Sequence, residues 1–168
     1  MEVEDLMMLG LGSGLLVVWL VLMAIAITLW VLNCLFVMKF CANCGHAHAG
    51  LVWLPVPGVA NVVILQSMVL SGAVGYSNAL IWITTIGMVG GLVLSFIPLV
   101  GLLFVVISVV CGVIQYVLMV AGVYKVANLV NKSGIVYLLL YMFVSILQPF
   151  LWRGLANGLL AYADAEYT

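Results

Sequence analysis

Ionised side chains are nearly missing from this chain. Its 168 residues carry four Lys or Arg and five Asp or Glu, 5% of the total, for a formal net charge of -1, where a soluble domain carries about 25%. This shortage excludes a protein kept in solution by a charged surface. It also leaves no basic field to hold a polyanion, so nucleic acid is not an expected partner. The acids stand only near the two ends, at Glu2, Glu4, Asp5, Asp164 and Glu166, and the two histidines share one short stretch. Paired-carboxylate or Ser/His/Asp chemistry needs groups that can meet, and no glycine run here leads into Lys-Ser/Thr as a nucleotide loop would. The chain is therefore not expected to be an enzyme. The long apolar runs hold no titratable group, which argues against a proton-driven or ion-coupled carrier built from this chain alone.

Apolar residues are what the chain has: 68% are hydrophobic and the mean hydropathy is +1.42. A bilayer crossing takes about 20 residues at 1.5 Å each, so the chain holds enough for several. The charges punctuate these runs. From Leu15 to Trp30 the only polar residue is Thr28, and a first crossing over about 11–38 is predicted. Its leader is acidic rather than basic, unlike a secretory signal, so the segment is expected to remain in the mature protein.

No formal charge occurs between Leu51 and Tyr124. A single helix through that stretch would reach about 110 Å and must therefore double back. Break points fall at Pro55-Val56-Pro57-Gly58, at 71–78 and at Pro98. The expected architecture is all-α: a polytopic transmembrane helical bundle forming one integral membrane domain over 1–168. Full spans are placed at about 11–38, 79–97, 99–124 and 135–153, with a re-entrant or Pro/Gly-broken segment over 51–70 and a Cys/His loop over 40–50. Five full spans are the alternative. If 51–70 dips and returns, Lys39, Lys125 and Lys132 share a face opposite Arg153 and the acidic N-terminus, which the positive-inside bias makes non-cytoplasmic.

Three groups of residues are candidates for function. Cys41, Cys44, His46 and His48 supply two thiols and two imidazoles, a complete tetrahedral set by type for zinc, and one that also suits copper or iron. All four lie within eight residues, closer than structural zinc sites usually draw their ligands, so the competing reading is an exposed polar loop or a disulfide hairpin. Asn61, Gln66, Gln115 and Gln148 are neutral amides within or beside the spans, suited to interhelical hydrogen bonds or to lining a pore. Gly87 with Gly91, and Gly154 with Gly158, set two small residues on one helix face, where another backbone can come close.

Pro55 to Ile64 can be laid over Pro98 to Ile107 with Pro, Gly, Val, Val and Ile in register, a pairing that a duplicated unit would produce. Trp53-Leu54-Pro55-Val56-Pro57-Gly58-Val59-Ala60-Asn61, then Ile97-Pro98-Leu99-Val100-Gly101, then Lys132-Ser133-Gly134 and a closing Tyr167 resemble a family of small multi-pass bacterial membrane proteins of unknown function. There a Trp and an Ile-Pro-x-x-Asn stretch precede an Ile-Pro-x-x-Gly segment. The resemblance covers about residues 50–168; this chain departs from it with Val-Pro in place of the first Ile-Pro and with the Cys/His loop. It implies the multi-pass architecture and no chemistry. The expected role is a non-catalytic structural or assembly subunit of a membrane complex, whose partners are the lipid bilayer and other subunits or further copies. Alternatives are a metal-binding or redox accessory protein using the Cys/His loop, and an oligomeric pore or facilitator for a small neutral solute.

Overall fold

The computed structural model describes residues 3–56, 58–97 and 100–166, with side chains over 14–56, 58–97, 100–144 and 146–164. Glu2, Pro57, Pro98, Leu99 and Tyr167, all used above, lie outside the described residues. Among the described residues the fold is all-helical, with six α-helices and no strand. They are α1 (Val3–Asn43), α2 (Val59–Leu70), α3 (Asn78–Leu94), α4 (Gly101–Leu129), α5 (Gly134–Phe143) and α6 (Gln148–Glu166). Two compact units are described separately, Met1–Leu32 and Asn33–Thr168.

The described residues of the first unit are helix alone. Every side chain from Gly14 to Thr28 is exposed, including Trp19 at 60%. The lone hydroxyl, Thr28 Oγ1, donates to the Ala24 carbonyl at 2.8 Å, so no polar side chain of that stretch is left to seek water. Among the described residues two helices are long and apolar enough to cross a membrane, Gly14–Asn43 and Gly101–Leu129, and their most apolar windows are 0% and 11% buried. A soluble protein's core helix would be covered by its neighbours instead.

In the second unit, α3 and α4 form an antiparallel hairpin. Ser77 caps α3, accepting the Leu80 N–H at 3.2 Å, as N-cap serines do. Small residues allow the close approach. Gly87 leaves room for the Cys111 side chain, and a methyl group on Gly91 would stand 2.7 Å from the Phe104 carbonyl oxygen. Ser108 donates across the pair to the Met88 carbonyl at 2.6 Å. With 17 residues, α3 reaches about 25 Å.

Segment 49–70 folds back on itself. A 3-10 turn at Ala49–Trp53 leads to α2, which opens on Gly58 at φ 82. A side chain on Gly58 would meet Thr85 Cγ2 at 2.7 Å, part-way along α3. Its far end returns beside the start of α3, since only residues 71–77 separate the two helices. The two copies of the Pro/Gly motif thus each run into a helix start, at Val59 and at Gly101.

The run expected to span over 135–153 is corrected to two helices. Ten residues give α5 about 15 Å, and after a 3-10 turn at Ser145–Leu147 the chain returns as α6. Proline causes this: Pro149 has no N–H and its ring would strike the carbonyl four residues back, so it is accommodated in the first turn of a new helix. Tyr137 meets Gly154, and Val130 meets Gly158, which sets α5 and α6 side by side in opposite directions. Phe143 (74%) and Ile146 (65%) stand exposed at the tip.

Arg153 was expected on the face opposite Lys39. It lies over the Phe36 ring at 5.8 Å, and one turn on, Lys39 Nζ donates to Asn157 Oδ1 at 3.3 Å. The return of α6 brings all four cations to one end of the second unit, with Lys132 against Gly158 and Lys125 one turn before the end of α4. That end also holds the core: Phe40 and Cys41 of α1, Leu65 and Met68 of α2, Val123 and Val126 of α4, and Trp152 and Leu155 of α6. The Phe40 and Trp152 rings are 5.1 Å apart. Asn131, at φ 56, stops α4 in the left-handed conformation that lets Lys132 N–H reach the Ala127 carbonyl at 2.8 Å.

Gly91→Ala should lower stability by up to about 2 kcal/mol, since overpacking costs about 1–3 kcal/mol and helix propensity returns about 1 kcal/mol. Gly90, with nothing within 4 Å of its would-be methyl, is the control, and Gly90→Ala should be neutral or stabilising. Thermal unfolding in mild detergent checks the pair.

Candidate functional site

Two polar clusters hold most of the singled-out residues. The first joins α2, α3 and α4. Gln115 is 1% exposed; its Nε2 donates to Thr85 Oγ1 at 2.7 Å, and Thr85 Oγ1 donates to the Ile81 carbonyl at 2.8 Å. Asn61 Nδ2 makes a longer approach to Gln115 Oε1, 3.5 Å. Donors and acceptors run one way along this chain and end on a helix carbonyl, with no titratable group among them. The arrangement can tie three helices together in an apolar setting, and it cannot move a proton by changing charge state.

The four amides do not come together as one row. Asn61 and Gln115 share the cluster just described, whereas Gln66 sits beside His46. Gln148, half-buried, opens α6. Thr85 was missed in the sequence reading, although Thr84-Thr85 is a hydroxyl pair in an otherwise apolar run. Thr84 spends its hydroxyl on its own helix, at Leu80 O, and only Thr85 bridges.

The second cluster is the Cys/His loop. The His48 backbone N–H donates to His46 Nδ1 at 3.2 Å. That fixes the tautomer, because Nδ1 must be bare to accept, and Nε2 then carries the hydrogen that points to Gln66 Oε1 at 3.2 Å. Both ring nitrogens are thus engaged. Cys41 is fully buried beside the Ser67 hydroxyl, which itself donates to the Val63 carbonyl at 2.6 Å. Burial, and after it the Cys41 thiol nearby, pushes the Cys44 thiol up to about 12. Cys41, Cys44, His46 and His48 are the expected ligand set; among the described residues no group of three or more His, Cys, Asp or Glu is placed to hold a metal ion. The loop instead closes the end of α1, where Asn43 Nδ2 donates to the Ala156 carbonyl at 2.8 Å.

The four packing glycines all sit at helix contacts. Gly87 and Gly91 face α4, Gly154 faces Tyr137 of α5, and a side chain on Gly158 would lie 2.9 Å from Val130 Cβ. Gly122, not singled out beforehand, leaves room on α4 for the Met68 sulfur of α2.

Comparison of the chain with family models, with curated proteins and with solved structures finds no match. The functional reading therefore rests on the residues themselves.

Gln115→Leu should destabilise the fold by about 1–2 kcal/mol, and a double-mutant cycle with Thr85→Val should return a coupling of about 0.6–1.7 kcal/mol, the range of interhelical hydrogen bonds in membranes. Additive effects would mean that the two side chains do not bond. For Cys44 the sign follows from its raised value. The folded thiol stays neutral as pH passes the unfolded value of 9.0, so whatever stability this difference carries is present below pH 9 and lost as pH rises towards 12. Iodoacetamide at pH 8, read site by site by mass spectrometry, should alkylate Cys44 slowly in the folded protein and quickly after denaturation.

Proposed function

We propose that this chain is an integral membrane protein with a structural role, a non-catalytic subunit that packs against other membrane helices. One observation carries the proposal: apolar side chains cover the uncovered flanks of its two longest helices. Leu15 is 69% exposed on α1, and Leu102 (79%), Val109 (58%) and Val113 (58%) are exposed on α4. Patches this continuous mark contact with lipid or with partner proteins. Gln115, Thr85, Ser67 and Ser108 spend their polar atoms on one another and on helix carbonyls, with Asn33 Oδ1 the buried oxygen left over, which favours holding helices together over handling a substrate. The resemblance of residues 50–168 to the small multi-pass family supports the multi-pass architecture alone.

In the topology we propose, Gly14–Asn43, α3 and α4 cross the bilayer. Segments 49–70 and 134–166 enter from the cation-bearing end and return to it. By the positive-inside bias that end is cytoplasmic, and the acidic first residues lie on the other side. The expected re-entrant reading of 51–70 is kept, and the expected fourth crossing becomes a second re-entrant hairpin. Its apolar tip, Phe143 and Ile146, then sits near the middle of the bilayer. Short helices can end at that depth when the freed backbone groups are met within the protein, as where the Val144 N–H donates to the Leu140 carbonyl at 3.1 Å.

In membranes from expressing cells, the chain should stay in the pellet through alkaline carbonate and be released by detergent. It should migrate, in mild detergent, with other membrane proteins or with further copies. Membrane-impermeant maleimide should label Ser133→Cys from the cytoplasmic side and Ser95→Cys from the opposite side. Release by carbonate overturns the membrane reading; a lone monomer in mild detergent overturns the subunit role; equal labelling from one side overturns the topology.

A further inference from the structure

Beside α5, α4 leaves a trough of about 440 Å³, walled by Tyr116, Val120, Ala121 and Lys125 of α4 and by Leu138 and Met142 of α5. The small Ala121 between the two larger ends makes the hollow. Its exposed wall is apolar throughout; Lys125 lines one end by its hydrocarbon stem, which lets the ammonium stand at the rim, and no carboxylate lines it. From Lys125 to Tyr116 α4 rises about 14 Å, and the ten residues of α5 rise about 15 Å. Both lengths are half of the roughly 30 Å hydrocarbon core.

We infer that the trough binds one anionic phospholipid from the Lys125-side leaflet, an acyl chain lying between α4 and α5 and the headgroup phosphate on the Lys125 ammonium. The inference rests on the membrane reading above. Depth argues for a lipid: the trough starts at the charged border and ends where a single leaflet ends, and a soluble ligand would have no use for an apolar slot open along its side. Charge argues for an anionic one. A cation near the surface attracts acidic headgroups, and nothing of opposite sign in the trough competes for it. Tyr124, 39% exposed beside Lys125, stands at the level where aromatic side chains meet headgroups.

The test is native mass spectrometry of the full-length chain, delipidated in mild detergent and titrated with dioleoyl phosphatidylglycerol or dioleoyl phosphatidylcholine. One phosphatidylglycerol should be retained more tightly than phosphatidylcholine. Lys125→Gln should weaken it roughly five-fold, the effect of one cation near the surface, and Lys132→Gln should leave it unchanged. Ala121→Phe should fill the trough and remove the tight event. If Ala121→Phe fails to fold, Lys125→Gln with an unchanged Tm decides alone. Equal retention of the two lipids, indifference to Lys125→Gln, or sensitivity to Lys132→Gln instead overturns the site, as does competition by inorganic phosphate without displacement of the acyl chain. The membrane reading fails separately, by carbonate release, so the two failures are told apart.

Discussion

Apolar surface that the chain does not cover for itself is the constraint on everything else. Phe96 is 84% exposed, Leu102 79% and Leu15 69%, and in water each such side chain would cost about 1.5–3 kcal/mol relative to burial. In the membrane setting proposed above the surroundings are apolar, and the interior is then organised by what lipid cannot supply: partners for polar groups and tight contacts between backbones. Gln115, Thr85 and Ser108 find their partners on neighbouring helices or in their own carbonyls. Gly91 and Gly122 supply the close approaches.

Proline placement then divides the chain into long and short helices. Where a run is free of proline, as from Gly101 to Leu129, it reaches about 43 Å. Where Pro149 interrupts, two shorter helices form and fold against each other. The result is a thick, packed end holding Phe40, Leu65, Val123 and Trp152, with all four basic side chains around it. Packed core and cations coincide because α6 comes back to Lys39 and does not continue away from it.

Much of this could be read from the residues. The helical class, the first apolar run, the break at 71–78 and the doubling back of 51–70 follow from apolar length and from Pro and Gly positions, which are local properties. The fate of 135–153 was harder, since a Gln-Pro pair near the end of an apolar run is compatible with a kinked crossing, and only the contacts of Tyr137 with Gly154 and of Lys39 with Asn157 decide for a return. The Cys/His loop is legible by residue type and not by direction: Cys41 falls on the buried side of α1, and His46 uses its two nitrogens on His48 and Gln66. Thr85 went unnoticed because a threonine in a helix normally bonds its own turn, as Thr84 does, and nothing in one sequence tells the two apart.

Accessibility of spin labels in liposomes tests the central claim most directly. Labels at Val106 and Val113 on α4 and at Phe143 on the tip of the α5–α6 hairpin should collide with oxygen, which dissolves in lipid, and be shielded from a water-soluble nickel chelate. The account requires that pattern at all three positions. Strong collision with the nickel chelate at Val106 and Val113 would mean that these faces meet water, and would contradict it.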